Sequence, residues 1–326
     1  MSPKASLLAL FIPIFSAISC ATTAENQIYE LHPLTIATLE NFDQRTPSRS
    51  GTKNWLGDWI FRRDRLELID KNLRFVKPDV FFLQNSLEKF ESFAESDINI
   101  LLAGALRDYV STRVEAEKIE LTNETIGAGF IVAPPLQFLT ATSEKQKSWK
   151  LGEDGFLAVA EVSDGSQVTT LFSLQLPKKK EEAALWLEFT QQRIFEHFQT
   201  EVHDKSSCLE KSIIAGRISS DIDRKIMEKF LLGIHFKDSS SGFCENAGKC
   251  QTSTSMNELF MVTQGDDVAS QSDRILVHQS AIVYSSNRAF TEGLDTEKYK
   301  SEYGINHLLP STRYGWNSQV RLKKCR

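Results

Sequence analysis

Residues 77–85 read Lys77-Pro78-Asp79-Val80-Phe81-Phe82-Leu83-Gln84-Asn85. Four consecutive apolar residues are too few for a helix, and their β-branched and aromatic character predicts a strand buried on both faces. Pro78 closes the segment before it, because proline lacks the N–H a helix interior needs and disfavours helical backbone at the preceding residue. That preceding segment, Asp58–Val76, carries Ile60, Phe61, Leu66, Leu68, Ile69, Leu73 and Phe75 at spacings that suit a helix. A helix running through a Pro-Asp turn into a buried strand is the unit around which the rest is read.

Upstream, Leu34–Leu39 alternates around Thr35, Ile36 and Thr38 and predicts a strand, followed by a polar loop at 44–53. Downstream, the pattern predicts a second helix over Leu87–Phe93 and strands at Ile98–Leu102, Gly127–Val132 and Gln137–Leu139. Gly155–Val162 and Val168–Leu174 form a strand pair around a Ser163-Asp164-Gly165 turn. A helix over Glu181–Gln199, a strand at Ser212–Ala215 and a helix over Ile222–Leu231 follow. The last predicted strands are Arg274–Val277, Ala281–Tyr284 and Val320–Leu322. Strands outnumber helices, and the helices fall between strand pairs without regular alternation. This predicts an α+β chain in layered helix–sheet–sheet–helix packing, not a doubly wound sheet. No repeat or composition break divides 32–326, which is read as one domain.

Of the 326 residues, 41% are apolar and 25% charged, the profile of a folded globular chain. The net charge of −5 supplies no general attraction to a phosphate backbone, so a nucleic-acid partner is not expected. The N-terminus is different in kind. Met1 to Lys4 give a cationic start, and Ala5–Ile18 an apolar run of signal-peptide length, so 1–19 reads as a signal peptide. Ala17-Ile18-Ser19-Cys20 resembles a bacterial lipobox, with Ala17 where leucine is usual. The expectation is lipidation at Cys20, a polar tether over 20–31, and a lipoprotein of the bacterial cell envelope facing the periplasm. Its membrane contact would be the lipid anchor, and its envelope partner or ligand is not named by the sequence. The alternative is ordinary signal cleavage and a soluble periplasmic or secreted protein.

Export would also decide the remaining cysteines, since an oxidising compartment favours disulfides. Cys208, Cys244, Cys250 and Cys325 permit three pairings. Cys244 and Cys250 bracket a short glycine-containing loop they could close, which would leave Cys208 to meet Cys325. A zinc site would need tighter ligand pairs than these spacings offer.

Seven segments, in order, resemble the endonuclease/exonuclease/phosphatase superfamily, the fold of deoxyribonuclease-I-like nucleases, exonuclease III and sphingomyelinases. Leu34–Thr38 is similar to its first strand, and Lys77–Gln84 to its "Pro-Asp-Val … Leu-Gln-Glu" segment. Gly127–Val132 resembles the strand that follows, and Leu171–Leu176 stands at the "Asn-x-His-Leu" position. Ile213–Gly216 leads into the "Gly-Asp-Phe-Asn" position. Asp273–Val277 is similar to "Asp-x-Ile-Leu-Val", and Asn306–Pro310 falls where "Asp-His-x-Pro" belongs. The resemblance implies a four-layer helix–sheet–sheet–helix sandwich over essentially all of 34–326.

It also implies metal-dependent phosphoester hydrolysis, with Mg²⁺ held chiefly by a glutamate and with a His–Asp pair, an Asp and two Asn around the phosphate and water. The residues present at those positions differ. The glutamate position holds Asn85, and the first-strand asparagine position holds Glu40, or Asn41 if the register slips by one. The histidine of "Asn-x-His-Leu" is Gln175, and "Gly-Asp-Phe-Asn" reads Gly216-Arg217-Ile218-Ser219. "Asp-His" reads Asn306-His307, which removes the carboxylate expected to orient the imidazole. Arg217 could bind an anion but would repel a divalent cation. Glu40, Asn85, Gln175, Arg217, Ser219, Asn306 and His307 are therefore read as vestigial positions, with no cofactor expected. In the register that the resemblance implies, Glu40 and Arg217 converge on one pocket from neighbouring strands, and this acid and base are expected to pair directly.

The rival reading is an active phosphodiesterase or nuclease that uses Mg²⁺ at a site rebuilt from Glu40, Asp221 and His307. Asp79, Asp223 and Asp273 read as structural hydrogen-bonding groups, Lys178–Lys180 as a solvated loop, and His32, His197, His203, His235 and His278 as scattered residues without ligand spacing. The expectation is a fold whose catalysis is lost and which acts by binding.

Overall fold

A computed structural model describes residues 29, 32–40, 55–87, 96–118, 125–139, 147–152, 155–177, 182–199, 208–218, 222–244, 251, 273–295, 297, 300, 306–311 and 314–325. In chain order the first elements are β1 (Leu34–Glu40), α1 (Trp55–Val76), β2 (Val80–Leu87), α2 (Asp97–Ala103), β3 (Val110–Lys118), β4 (Thr125–Val132) and β5 (Gln137–Phe138). Then come β6 (Lys147–Leu151), β7 (Gly155–Ser163), β8 (Val168–Gln175), α3 (Ala183–Gln199), β9 (Ser212–Arg217) and α4 (Arg224–Gly233). The last are β10 (Phe236–Asp238), β11 (Asp273–His278), β12 (Ile282–Ala289), β13 (Leu294–Asp295), β14 (His307–Leu308) and β15 (Gly315–Arg321).

The strands form two large sheets. One runs β12-β15-β1-β2-β4-β3; the other runs β10-β11-β9-β8-β7-β5, with β6 also on β7. The first half of strand β2, Val80–Leu83, shows why its sequence is a continuous apolar run. Val80 and Phe82 point into the core between the sheets, while Phe81 and Leu83 point outward under α1 and α2. Both faces are dry along these four residues, which favours a continuous apolar run. Leu66, Ile69 and Leu73 of α1, with Ile98 and Leu101 of α2, cover that outer face. Leu187 and Ile194 of α3, with Met227 and Phe230 of α4, cover the outer face of the second sheet against Phe172 and Leu174. The result is mixed α and β structure in helix–sheet–sheet–helix order. Among the described residues no helix is long and apolar enough to cross a membrane.

Several segments depart from the sequence reading. Ile98–Leu102 is helical and not a strand: the Ser96 hydroxyl accepts from the Asn99 N–H at 3.2 Å, and Ile98 and Leu101 bury one helical face. Leu87, expected to open a helix, ends β2, and 88–95 lie outside the described residues. Strands β3, β6 and β10 were not anticipated. Strand β3 is an edge strand carrying Arg113, Glu115, Glu117 and Lys118, charges that suit an edge and hide the strand pattern. Strand β15 starts at Gly315, well before Val320, and its polar Asn317, Ser318 and Gln319 mask it.

Register defines two ends. Strands β1 and β2 run parallel, with Glu40 opposite Gln84, and β8 and β9 run parallel in the other sheet. At the opposite end Leu34 pairs with Val320, and Tyr29 bridges Lys323. There Cys208, before β9, is disulfide-bonded to Cys325, with Cα atoms 5.6 Å apart. Cys244 is disulfide-bonded as well, and Cys250 lies outside the described residues.

Candidate functional site

Glu40 ends β1 and Arg217 ends β9, so the two side chains approach from different sheets. Arg217 Nη1 donates to Glu40 Oε1 at 3.2 Å, and Nη2 donates to the Leu176 carbonyl at 3.0 Å. The side chains are 5% and 0% exposed, so this is a dry ion pair that bridges the sandwich. Asn85 joins it: its Nδ2 donates to the same Glu40 Oε1 at 3.1 Å.

The local backbone explains how Asn85 gets there. Leu83 faces the outer helices, so strict alternation would put Asn85 on that face too. A register shift between Leu83 and Ser86 breaks the β2–β4 ladder, and Asn85 sits at φ 55. The bulge re-aims the amide toward Glu40. Gly216 does the equivalent on β9. Its φ is 140, and a Cβ there would collide with the Leu174 carbonyl, so only glycine lets β9 lie this close to β8 before Arg217.

Supporting contacts fix the acid. The Ser311 hydroxyl donates to the Glu40 carbonyl. Gln84 accepts from Thr38 Oγ1 at 3.0 Å and donates to Ser173 Oγ at 3.4 Å across the sheets. Asp273, fully buried, is opposite Arg217 in the antiparallel pairing and so shares its face of the sheet. Gln175 ends β8 and is buried.

His307 is arranged differently. It lies on β14, its side chain 44% exposed, and Nδ1 is 2.7 Å from Asp295 Oδ1 of β13, its cross-strand neighbour. Asn306 is exposed, and the carboxylate beside His307 is that of Asp295, itself 94% exposed. A two-residue strand pairing supplies the partner, which no local pattern announces.

The remaining candidates have structural roles or fall outside the described residues. Asp79 accepts from the Thr35 N–H at 2.6 Å, and burial raises its pKa against that bond. Asp223 caps α4, accepting from the Lys225 N–H at 2.7 Å. His197 meets Glu161 at 3.2 Å under α3, and His278 meets Ser280 at 2.7 Å. His32 and His235 are exposed. Ser219, Asp221, Asn41, His203, Lys178–Lys180 and Cys20 lie outside the described residues. Sequence reasoning missed the Leu176 carbonyl, Gln84, Ser311 and Asp295, all of which act through contacts between segments distant in sequence.

The donor set does not fit a divalent cation of the Mg²⁺ type. Such an ion wants several anionic oxygens and water. Here Glu40 Oε1 already accepts from a guanidinium and an amide in a dry site, and the Arg217 cation stands where the resemblance implies a carboxylate. Among the described residues no three His, Cys, Asp or Glu side chains are grouped to hold a metal.

No protein-family model matches the sequence, and no curated protein matches it. Solved structures do. A Bacteroides thetaiotaomicron endonuclease/exonuclease/phosphatase family protein aligns with TM-score 0.60 and 15% identity, covering 89% of this chain and 97% of that one. D. rerio TDP2 complexed with a single-strand DNA product aligns with TM-score 0.56 and 14% identity over 88% and 98%. A mannosyl-6-phosphatase from Bacteroides thetaiotaomicron aligns with TM-score 0.58 and 14% identity over 88% and 99%. At this identity the likeness concerns the fold.

Proposed function

We propose that this chain, which has the endonuclease/exonuclease/phosphatase fold, is an exported and lipid-anchored protein that has lost metal-dependent phosphodiester hydrolysis and acts by binding in the cell envelope. The observation that carries this reading is the buried Glu40–Arg217 pair. A guanidinium fills the position that resemblance gives to an acid, and it pairs with the buried Glu40 carboxylate that a cation would otherwise use. The Cys208–Cys325 disulfide supports export, because such a bond persists in oxidising compartments. The Ala17–Cys20 segment supports the anchor.

One observation favours the second reading, an active phosphodiesterase with a rebuilt site. The His307–Asp295 pair supplies an oriented imidazole of the kind general-base chemistry uses. Asp221 and Glu40 would then have to hold the cation.

The test is turnover. Purified protein with Mg²⁺ or Mn²⁺ is incubated with single-stranded DNA, a sugar phosphate, a sphingolipid and a generic phosphodiester, substrates chosen to include those named for the neighbours. The binding reading expects no product above the protein-free control. Turnover abolished by His307→Ala would overturn it.

A further inference from the structure

We infer that the end of the sandwich remote from Glu40 is a docking face for an anionic lipid bilayer, so that the anchored protein presents its candidate site away from the membrane. This rests on the anchoring part of the proposed function and on how the chain enters the fold.

Strand β1 begins at Leu34 and finishes at Glu40. Seven residues at about 3.3 Å each separate those ends by roughly 20 Å. At the Leu34 end Tyr29 bridges Lys323 and lies under the Arg321 guanidinium. Cys20 is nine positions before Tyr29. That length spans at most about 30 Å when extended. A lipid on Cys20 would therefore keep this end within about 30 Å of the bilayer, and docking of this end leaves the Glu40–Arg217 end beyond it by the height of the sandwich.

The chemistry of the face suits that neighbour. The chain carries net charge −5, yet Lys237, Lys323 and Lys324 lie together at this end, with Glu210, Asp164 and Asp108 as acids among them. Lys323 and Lys324 follow β15. His278 ends β11 opposite Phe236, which brings His235 and Lys237 beside it. His235, Lys237 and Lys323 all act electrostatically on His278, and Glu210 is the one acid that does. Lys237 is held by the Ala281 carbonyl at 2.6 Å. Two large apolar side chains lie at the same end: Phe75 in the last turn of α1, 73% exposed, and Val110 at the start of β3, 41% exposed. Cations interspersed with apolar side chains are what an anionic headgroup layer accepts, the first by attraction and the second by shallow insertion.

The experiment uses the chain carrying Cys20→Ser, so that no acyl chain contributes, in co-sedimentation with vesicles. One set is phosphatidylcholine; the other is phosphatidylcholine mixed with phosphatidylglycerol. Binding is expected to the mixed vesicles alone and to weaken as salt rises. Lys323→Gln with Lys324→Gln should reduce it by roughly tenfold or more, each lysine near an anionic surface being worth about a fivefold factor. Lys229→Gln on α4 should leave it unchanged. Equal binding to both vesicle types, binding to neither at low salt, or indifference to the double substitution would overturn the inference. Tighter binding to heparin than to the mixed vesicles would overturn the lipid assignment. Fatty-acid labelling of the wild type reads the anchor separately, and turnover reads the dead site, so the three failures are distinguishable.

Discussion

Arg217 reaches across from the second sheet to Glu40 of the first, Nη1 to Oε1 at 3.2 Å, with both side chains withdrawn from water. The pair thus does two things at once. It ties the ends of β1 and β9 together, and it consumes the charge that a bound cation would otherwise neutralise. Buried pairs of this kind are not stabilising by default, because desolvating both charges costs nearly what their attraction returns.

Removing one partner should therefore cost far more than removing both. Arg217→Ala removes the guanidinium from the buried Glu40 carboxylate and should destabilise by about 3–5 kcal/mol. Glu40→Leu combined with Arg217→Met should recover most of that loss. Urea denaturation midpoints of the single and double variants check the ordering.

Reversing the substitutions should change what the site binds. Glu40→Asn with Arg217→Asp removes the guanidinium and restores a carboxylate on β9. Isothermal titration should then detect divalent-cation affinity in the double variant. If the double variant is folded and silent, the site lacks more than these two groups.

The Cys208–Cys325 bond closes a span of 117 residues. The loop-entropy model assigns such a closure about 4–5 kcal/mol of stabilisation. Cys325→Ser should lower the unfolding free energy by that order, read by denaturant titration without reductant, and reductant should lower it at least as far in the wild type, since it also opens the Cys244 disulfide.

His278 should make the fold acid-sensitive. Burial, with His235, Lys323 and Lys237 acting against the opposing pull of Glu210, holds its pKa below the ordinary value of about 6.5. The unfolded chain then takes up the proton first as pH falls, so this contribution is fully present above about 6.5 and is lost as pH drops through the folded value. Thermal melts of the wild type should decline on that side, and those of His278→Gln should decline less.

The parts of this architecture that announced themselves were those with local causes. Val80–Leu83 reads as a doubly buried strand because neither face meets water, and the Pro78 stop before it is steric. Ile98–Leu102 misled because five apolar-rich residues fit a strand or a short helix equally well; the Ser96 cap decided it. In the site, the chemical types at Glu40 and Arg217 were legible, and only the family resemblance implied their meeting, which comes from two different sheets and not from neighbouring strands. Asn85 depends on a bulge, and Asp295 finds His307 across a ribbon of two residues per strand. Neither has a sequence period to read.

The most direct measurement is isothermal titration of Mg²⁺, and separately Mn²⁺, into the wild-type protein. With Arg217 seated on Glu40, no saturable heat should appear for either ion. A tight, saturable isotherm that Glu40→Gln abolishes would show that the site holds a cation after all and would contradict the account.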